Sequence, residues 1–382
     1  MDLNLYQSSC LAVSLLGLVP AFATAAGPQP VPDPAYNAYI KPKQLIMLPD
    51  GRKIHLFCEG VGSPTVIFTA GLGDWSAIWN KVQGTIAMET RTCAWDRAGY
   101  GFSDPSPLPQ DVNHTTDDLE SALKVAKIAG PYIIVGHSLG GYESLRFADR
   151  HPDQVVGMVL VDPSIPDQAR RNKAVAPKSF AAIETMYGQF IQETRACAAK
   201  LKSGALTLTS ADPDECFSDN LTYPLELRNA MRQLDNGPAR WVTTASLLSQ
   251  FDKSSREIIN KKRNYANMPL RILTAGDPLE APPSFGAAAI AEAPALQAEL
   301  FRGHEAMAAL STNGANIVVP GTSHYIQFIK PEVVISAISQ VFDEIQLSGN
   351  LAANLSAQKS VPAAEKKFGD AKETIEKSST HH

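Results

Sequence analysis

Dense basic runs are absent from this chain. Its 34 Lys and Arg residues are outnumbered by 39 Asp and Glu, for a net charge of −5 over 382 residues. That distribution carries no electrostatic footprint for nucleic acid. Cysteine is scarce, at five residues, and no Cys/His cluster has the spacing of a zinc site. No glycine-rich loop is followed by the Lys-Ser/Thr pair that cradles nucleotide phosphates, so neither a metal nor an organic cofactor is implied. Internal repeats are missing, which argues against stacked-repeat architectures. Long hydrophobic runs are missing too. The apolar stretch Leu11 to Ala23 is short for a membrane span and contains Pro20. It ends among small residues, Ala21-Phe22-Ala23-Thr24-Ala25-Ala26. The stretch reads as a secretory signal peptide over 1–25, although no Lys or Arg precedes it, with an uncleaved N-terminal anchor as the alternative. The expected location is secreted or periplasmic, with no stable membrane insertion once the signal is removed.

What is present is globular in composition: 44% hydrophobic and 19% charged, enough apolar material for a large core. Cys58, Cys93, Cys197 and Cys216 lie beyond residue 25. An even number in an exported chain predicts two disulfides, with all three pairings open. Residues 26–42, rich in Pro and Ala, read as an extended lead-in. Gln44–Met47 and Lys53–Cys58 read as strands joined by a turn at Pro49-Asp50-Gly51. Further strands are expected over 65–69, 91–95, 132–135 and 155–161. Helices are expected over roughly 77–88, from a Thr116 cap to Ile128, and over 142–149. Near-continuous apolar strands alternating with helices argue for an α/β chain with a parallel sheet covered on both faces. The rhythm stops over 164–267, which reads as helices forming a lid at the carboxyl edge of the sheet. It resumes with strands at 270–274 and 316–319 and helices at about 289–310 and 331–345. The organisation is a core of 43–163 and 268–346, a lid of 164–267, and a mobile tail of 347–382.

The most informative stretch is Tyr132–Gly141. A β-branched run ends in Gly136-His137-Ser138-Leu139-Gly140, and a helix follows. Strand, tight turn and helix form the setting of a nucleophile elbow. Its serine sits in a strained turn, so the residues two places to either side must lack side chains for strand and helix to pass closely. A serine hydroxyl needs a base. Of eight histidines, His324 fits best, on a loop after the last strand that opens at the same edge as Ser138. His137 reads as packing within the elbow, and His304 as a packing or solvent-facing helix residue. Two aspartates end apolar strands at that edge, Asp162 and Asp277, and both satisfy the chain order Ser…Asp…His. The backbone N–H groups of Leu139 and of Leu72, in Gly71-Leu72-Gly73, are candidate donors to a developing oxyanion.

Five segments together resemble the α/β-hydrolase superfamily, and within it the ester hydrolases with a lid. They are Thr69-Ala70-Gly71-Leu72-Gly73, Trp95-Asp96-Arg97-Ala98-Gly99-Tyr100-Gly101-Phe102-Ser103, Gly136-His137-Ser138-Leu139-Gly140-Gly141, Leu160-Val161-Asp162-Pro163 and Gly321-Thr322-Ser323-His324. The resemblance spans roughly 43–346 and leaves the lid unmatched in detail. It implies an eight-stranded, mostly parallel sheet with a first antiparallel strand, helices on both faces, and a helical lid after strand six. In that strand order the second and fourth strands are neighbours. A Cys58–Cys93 disulfide is thereby implied, with Cys197–Cys216 closing a lid loop. The implied activity is a serine hydrolase acting on small-molecule carboxylic esters or lactones through an acyl-enzyme, without a cofactor. The same triad could serve an aminopeptidase or amidase, a C–C bond hydrolase or an acyltransferase, and the fold alone a non-catalytic ligand-binding protein. Two departures stand out. Ala70 replaces the family's usual histidine before the oxyanion loop. The usual slot for the acid, after strand seven, falls at Leu279-Glu280, with Asp277 directly behind Gly276. A minority of the family places the acid after strand six, where Asp162 stands. Asp162 is therefore the first choice and Asp277 the alternative.

Overall fold

The computed structural model of the chain describes residues 31–217 and 220–360. The expected leader, 1–25, and residues 361–382 of the expected tail lie outside the described residues. There are two compact units, one ending at Val341 and one beginning at Phe342. The sheet and the candidate site belong to the first.

Among the described residues, eight strands form one sheet: β1 (Gln44–Met47), β2 (Lys53–Glu59), β3 (Thr65–Thr69), β4 (Thr92–Trp95), β5 (Tyr132–His137), β6 (Val155–Val161), β7 (Leu270–Ala275) and β8 (Gly314–Val319), in the order β1-β2-β4-β3-β5-β6-β7-β8. Pairing is antiparallel for β1/β2 and β2/β4 and parallel elsewhere. The reversed strand is thus β2 rather than β1, because the hairpin after Met47 turns the chain back before it crosses to the parallel set. Every residue of β3 and β5 is buried. That is why these strands read as unbroken apolar runs rather than alternating ones.

Helices α1 (Gln83–Ile86), α2 (Val112–Val125) and α3 (Gly140–Arg150) alternate with strands β3 to β6. Among the described residues, four helices fill the interval between β6 and β7: α4 (Gln168–Val175), α5 (Pro177–Ser203), α6 (Leu225–Leu234) and α7 (Ala239–Glu257). Helices α8 (Ala287–Ile290) and α9 (Ala293–Ala308) precede β8, and α10 (Ile326–Ile329) and α11 (Pro331–Ser360) follow it. Within the interval, α7 is fastened to the loop after β4. Thr243 Oγ1 donates to the Ala98 carbonyl at 2.9 Å, and the Tyr100 and Thr244 hydroxyls share a bond of 2.8 Å.

Local pattern and tertiary contact disagree in four places. The helix expected over 77–88 breaks into a 3-10 turn, Ser76–Trp79, and the short α1. Asp96 Oδ1 captures the Ser76 N–H at 2.8 Å and Trp79 turns in against Phe68, with ring centroids 5.0 Å apart. Asp111, not Thr116, caps α2: its carboxylate accepts from the Asn113 and His114 N–H groups, each at 3.0 Å. Thr116 lies inside the helix and bonds back to the Val112 carbonyl at 2.6 Å. A carboxylate that satisfies two orphan N–H groups outcompetes a hydroxyl further along. The lead-in is not extended throughout, because Asp33 caps a 3-10 turn, Pro34–Tyr39. Tyr39 in that turn stacks on Phe57 at 4.3 Å. Finally, α11 continues to Ser360, past the expected start of the tail at 347, in keeping with the helix-favouring Leu, Ala and Gln of that segment.

The register sets Cys58 opposite Cys93 across β2/β4, and their sulfurs stand 2.10 Å apart. Cys197 of α5 and Cys216 are likewise at disulfide distance, 1.94 Å. They sit in a cluster with Leu201, Leu206, Phe217 and Trp241.

Candidate active site

The parallel strands deliver their carboxyl ends to one edge, where loops that follow different strands can share a site. Gly71-Leu72 follows β3, Asp96-Arg97 follows β4, Ser138 follows β5, Asp162 follows β6, and His324 follows β8.

Ser138 has φ +52°, the left-handed region that residues with a Cβ avoid. The turn is held open by its neighbours. The Ser138 N–H donates to the Val161 carbonyl at 3.2 Å, and its carbonyl accepts from Gly141 N at 2.9 Å and Ser164 N at 3.0 Å. A Cβ at Gly136 would fall 2.3 Å from Ser144 Oγ and 2.6 Å from the Gly140 carbonyl oxygen. One at Gly140 would fall 2.5 Å from the Thr69 carbonyl oxygen. The two glycines are therefore required by close approach of helix, strand and the loop after β3. Leu139 stands at the N-terminus of α3, the positive end of the helix dipole.

His324 Nδ1 lies 2.6 Å from Asp162 Oδ2. The other oxygen, Oδ1, accepts from the Ala275 N–H at 3.0 Å. Burial alone pushes the Asp162 carboxyl up. The bond to His324, the charge of that ring, the nearby His304 and the Ala275 N–H outweigh burial and hold it below the ordinary value. An ionised acceptor at Oδ2 puts a proton on His324 Nδ1 and leaves Nε2 as the basic nitrogen. Asp277 is engaged through its backbone instead. Its N–H donates to the Thr322 carbonyl at 3.0 Å, and its carbonyl accepts from Gln297 Nε2 at 2.8 Å. Of the two candidate aspartates, Asp162 is the one whose carboxylate bonds His324.

The other two histidines support this arrangement from behind. His137 Nε2 donates to the His324 carbonyl at 3.0 Å. Burial first, then the charge of His324, push the His137 pKa well below the usual value, so the ring is neutral. His304 is fully buried behind Asp162. Its Nε2 donates to the Pro163 carbonyl at 2.8 Å, and its Nδ1 lies 2.7 Å from Thr274 Oγ1.

Three charged residues at this edge had no role in the sequence reading. Arg97 is fully buried and reaches Glu143 and the carbonyls of Ala70 and Gly71. Glu143 also accepts from Thr69 Oγ1. Asp74, in the loop after Gly73, is 7% exposed. Burial pushes its pKa up to about 7 against the pull of His324, Arg97, Tyr325 and Arg240. Its Oδ2 faces His137 Nδ1 at 3.9 Å. The available signal was charge in apolar surroundings: Arg97 beside a buried strand end, and Glu143 in the first turn of a helix, where an acid reads merely as a complement to the dipole. Among the described residues, no group of three or more His, Cys, Asp or Glu could hold a metal ion. Among the same residues, no helix is long and apolar enough to cross a membrane.

A family model described as the alpha/beta hydrolase fold matches residues 64–192. That match and the eight-stranded, mostly parallel sheet give the chain an α/β-hydrolase fold. It is 24% identical over 287 residues to 2-(acetamidomethylene)succinate hydrolase of Mesorhizobium japonicum, covering 75% of this chain and 90% of that protein. It is 42% identical over 89 residues to an uncharacterized protein of Schizosaccharomyces pombe, covering 23% of this chain and 17% of that one. The chain thus spans less than half the length of some of the relatives it matches. Among solved structures, an epoxide hydrolase from Bacillus megaterium superposes with a TM-score of 0.54 at 19% identity, covering 78% of this chain and 100% of that one. At that identity the likeness is one of fold.

Proposed function

We propose that this α/β-hydrolase is an exported serine hydrolase that cleaves carboxylic esters or lactones, with Ser138 as nucleophile, His324 as base and Asp162 as the orienting acid. The observation that carries this reading is the 2.6 Å bond between His324 Nδ1 and Asp162 Oδ2, at the sheet edge where Ser138 holds its left-handed turn. Ser138 Oγ attacks the ester carbonyl carbon as its proton passes to His324 Nε2. Asp162 stabilises the resulting imidazolium. The backbone N–H groups of Leu72 and Leu139 receive the oxyanion. On collapse the C–O bond breaks, and the leaving alkoxide takes the proton from Nε2. Water, deprotonated by the same nitrogen, then attacks the acyl-enzyme, and Ser138 recovers its proton. The substrate is a small molecule, and the helices of 164–267 form the lid over it. Two cysteine pairs at disulfide distance support an oxidising destination, in line with the leader expected over 1–25.

A fluorophosphonate probe tests the reading directly. The wild-type protein is expected to be labelled at Ser138, and Ser138→Ala to be unlabelled. A panel of esters varied in acyl and alcohol length then defines the substrate. A folded wild-type protein that resists the probe and hydrolyses no ester would refute the assignment.

A further inference from the structure

The buried pair Arg97–Glu143 touches both loops that carry the proposed oxyanion donors. Arg97 lies in the loop after β4 and is 2% exposed; Glu143 lies in the first turn of α3 and is 1% exposed. Arg97 Nε donates to Glu143 Oε1 at 2.6 Å and Nη2 to Oε2 at 2.8 Å, a bidentate pair. The remaining hydrogen bonds of the guanidinium go to backbone. Nη1 donates to the Gly71 carbonyl at 2.8 Å and Nη2 to the Ala70 carbonyl at 2.5 Å.

The Gly71 carbonyl and the Leu72 N–H belong to one peptide plane. In a trans peptide these two groups point in opposite directions. Fixing the carbonyl inward on the guanidinium therefore aims the N–H outward. A carbonyl bonded to a cation also polarises its peptide, which strengthens the N–H as a donor. The second donor, Leu139, directly precedes α3, the helix that carries Glu143. Gly140 lies so close to the loop that a Cβ there would come within 2.7 Å of the Ala70 carbonyl oxygen. Thr69 Oγ1 donates to Glu143 as well, so strand end, loop and helix meet at one charge pair. Burial works against the Arg97 charge, but Glu143 outweighs it and keeps the guanidinium protonated.

We infer that Arg97 is a positioning residue of the oxyanion hole: held by Glu143, it orients and polarises the Gly71–Leu72 peptide so that its N–H meets the transition-state oxygen. This rests on the serine-hydrolase reading. A purely structural ion pair would stabilise the fold without favouring any one atom of the substrate. Lysine at 97 would keep the charge but lose the planar fork that serves two carbonyls and a carboxylate together.

The test compares an oxygen ester with its thionoester, in which sulfur replaces the carbonyl oxygen and gains little from an oxyanion hole. Each protein is titrated with the fluorophosphonate probe, so that rates refer to competent sites. In Arg97→Lys, kcat for the oxygen ester is expected to fall about ten- to hundredfold, a fraction of the effect of deleting an oxyanion donor. KM should stay within about threefold, and the oxygen-to-sulfur rate ratio should shrink by the same factor as kcat, since only the oxyanion interaction is weakened. Glu143→Gln, which keeps the shape of the side chain, is expected to reduce the ratio several-fold, and it decides the matter should Arg97→Lys fold poorly. Equal losses for both substrates, or an unchanged ratio, would overturn the inference. A wild-type protein that the probe does not label would instead overturn the reading beneath it, so the two failures are distinguishable.

Discussion

Replacing Asp162 by asparagine tests the catalytic geometry with the least change of shape. The carboxylate makes two bonds: Oδ1 accepts from Ala275 N at 3.0 Å, and Oδ2 pairs with His324 Nδ1 at 2.6 Å. Asparagine can keep the first bond with its oxygen. Its NH2 group then faces Nδ1 and can only donate. The imidazole proton must move to Nε2, the nitrogen that takes the serine proton in the proposed mechanism. The base is removed by a change of tautomer, and the imidazolium loses its counter-charge. Triads of this kind lose about a thousand- to ten-thousandfold in kcat on such a change, or ~4–5.5 kcal/mol in the barrier. KM should stay within a few-fold, because in the proposed mechanism Asp162 does not touch substrate. Asp277→Asn should remain within about threefold of wild type, since that residue's bonds in this region are made by its backbone. Steady-state kinetics on a chromogenic short-chain ester, with circular dichroism to confirm folding, measures both variants. An Asp162→Asn protein that keeps more than a tenth of wild-type kcat, beside an Asp277→Asn protein that does not, would refute the assignment.

Three further outcomes follow from the same geometry. Gly136→Ala places a Cβ 2.3 Å from Ser144 Oγ; a loss of about 3 kcal/mol in a urea titration, with loss of probe labelling, is expected. Removing the Cys197–Cys216 link, which closes a separation of 19 residues, should cost about 3 kcal/mol by chain entropy, and removing Cys58–Cys93, with a separation of 35, about 4 kcal/mol. Single Cys→Ser variants compared with the oxidised wild type in denaturant titrations check both values. Asp74 carries a pH signature. Its pKa is raised from 3.8 to about 7, chiefly by burial. The folded state therefore holds a proton that the unfolded state has lost. The associated stability is fully present below about pH 4 and disappears as pH rises through about 7, a change on the order of 4 kcal/mol. Asp74→Asn should flatten that part of the stability-versus-pH curve, and an unaltered slope between pH 4 and 7 would count against the buried carboxyl as its source.

Much of this protein follows from neighbouring residues alone. The buried strands are legible because unbroken runs such as Tyr132–Val135 suit only a sheet covered on both sides. The elbow is legible because its glycines stand at fixed offsets from Ser138, where only close backbone passage would require them. A helix cap was harder to read. Thr116 suits a cap by residue type, but Asp111, whose carboxylate reaches two N–H groups, takes the position. The expected helix over 77–88 failed because Asp96, from another loop, takes the Ser76 N–H.

What the chain order left open, the order of strands in space separates by geometry: only the Asp162 carboxylate bonds His324. Asp162 and Asp277 both end apolar strands before a proline, and no local pattern separates them. In the sheet β6 lies between β5 and β7, and the end of β7 supplies the Ala275 N–H that holds one oxygen of Asp162 while the other turns to His324. The Arg97–Glu143 pair joins residues 46 positions apart, which meet only because β4, β3 and β5 are neighbours. Periodicity and turn chemistry act over a few residues, and so they are written in the sequence. The bonds that join His324 to Asp162 and Arg97 to the Ala70 and Gly71 carbonyls link groups brought together only by folding, and their strength comes from burial that no short segment possesses.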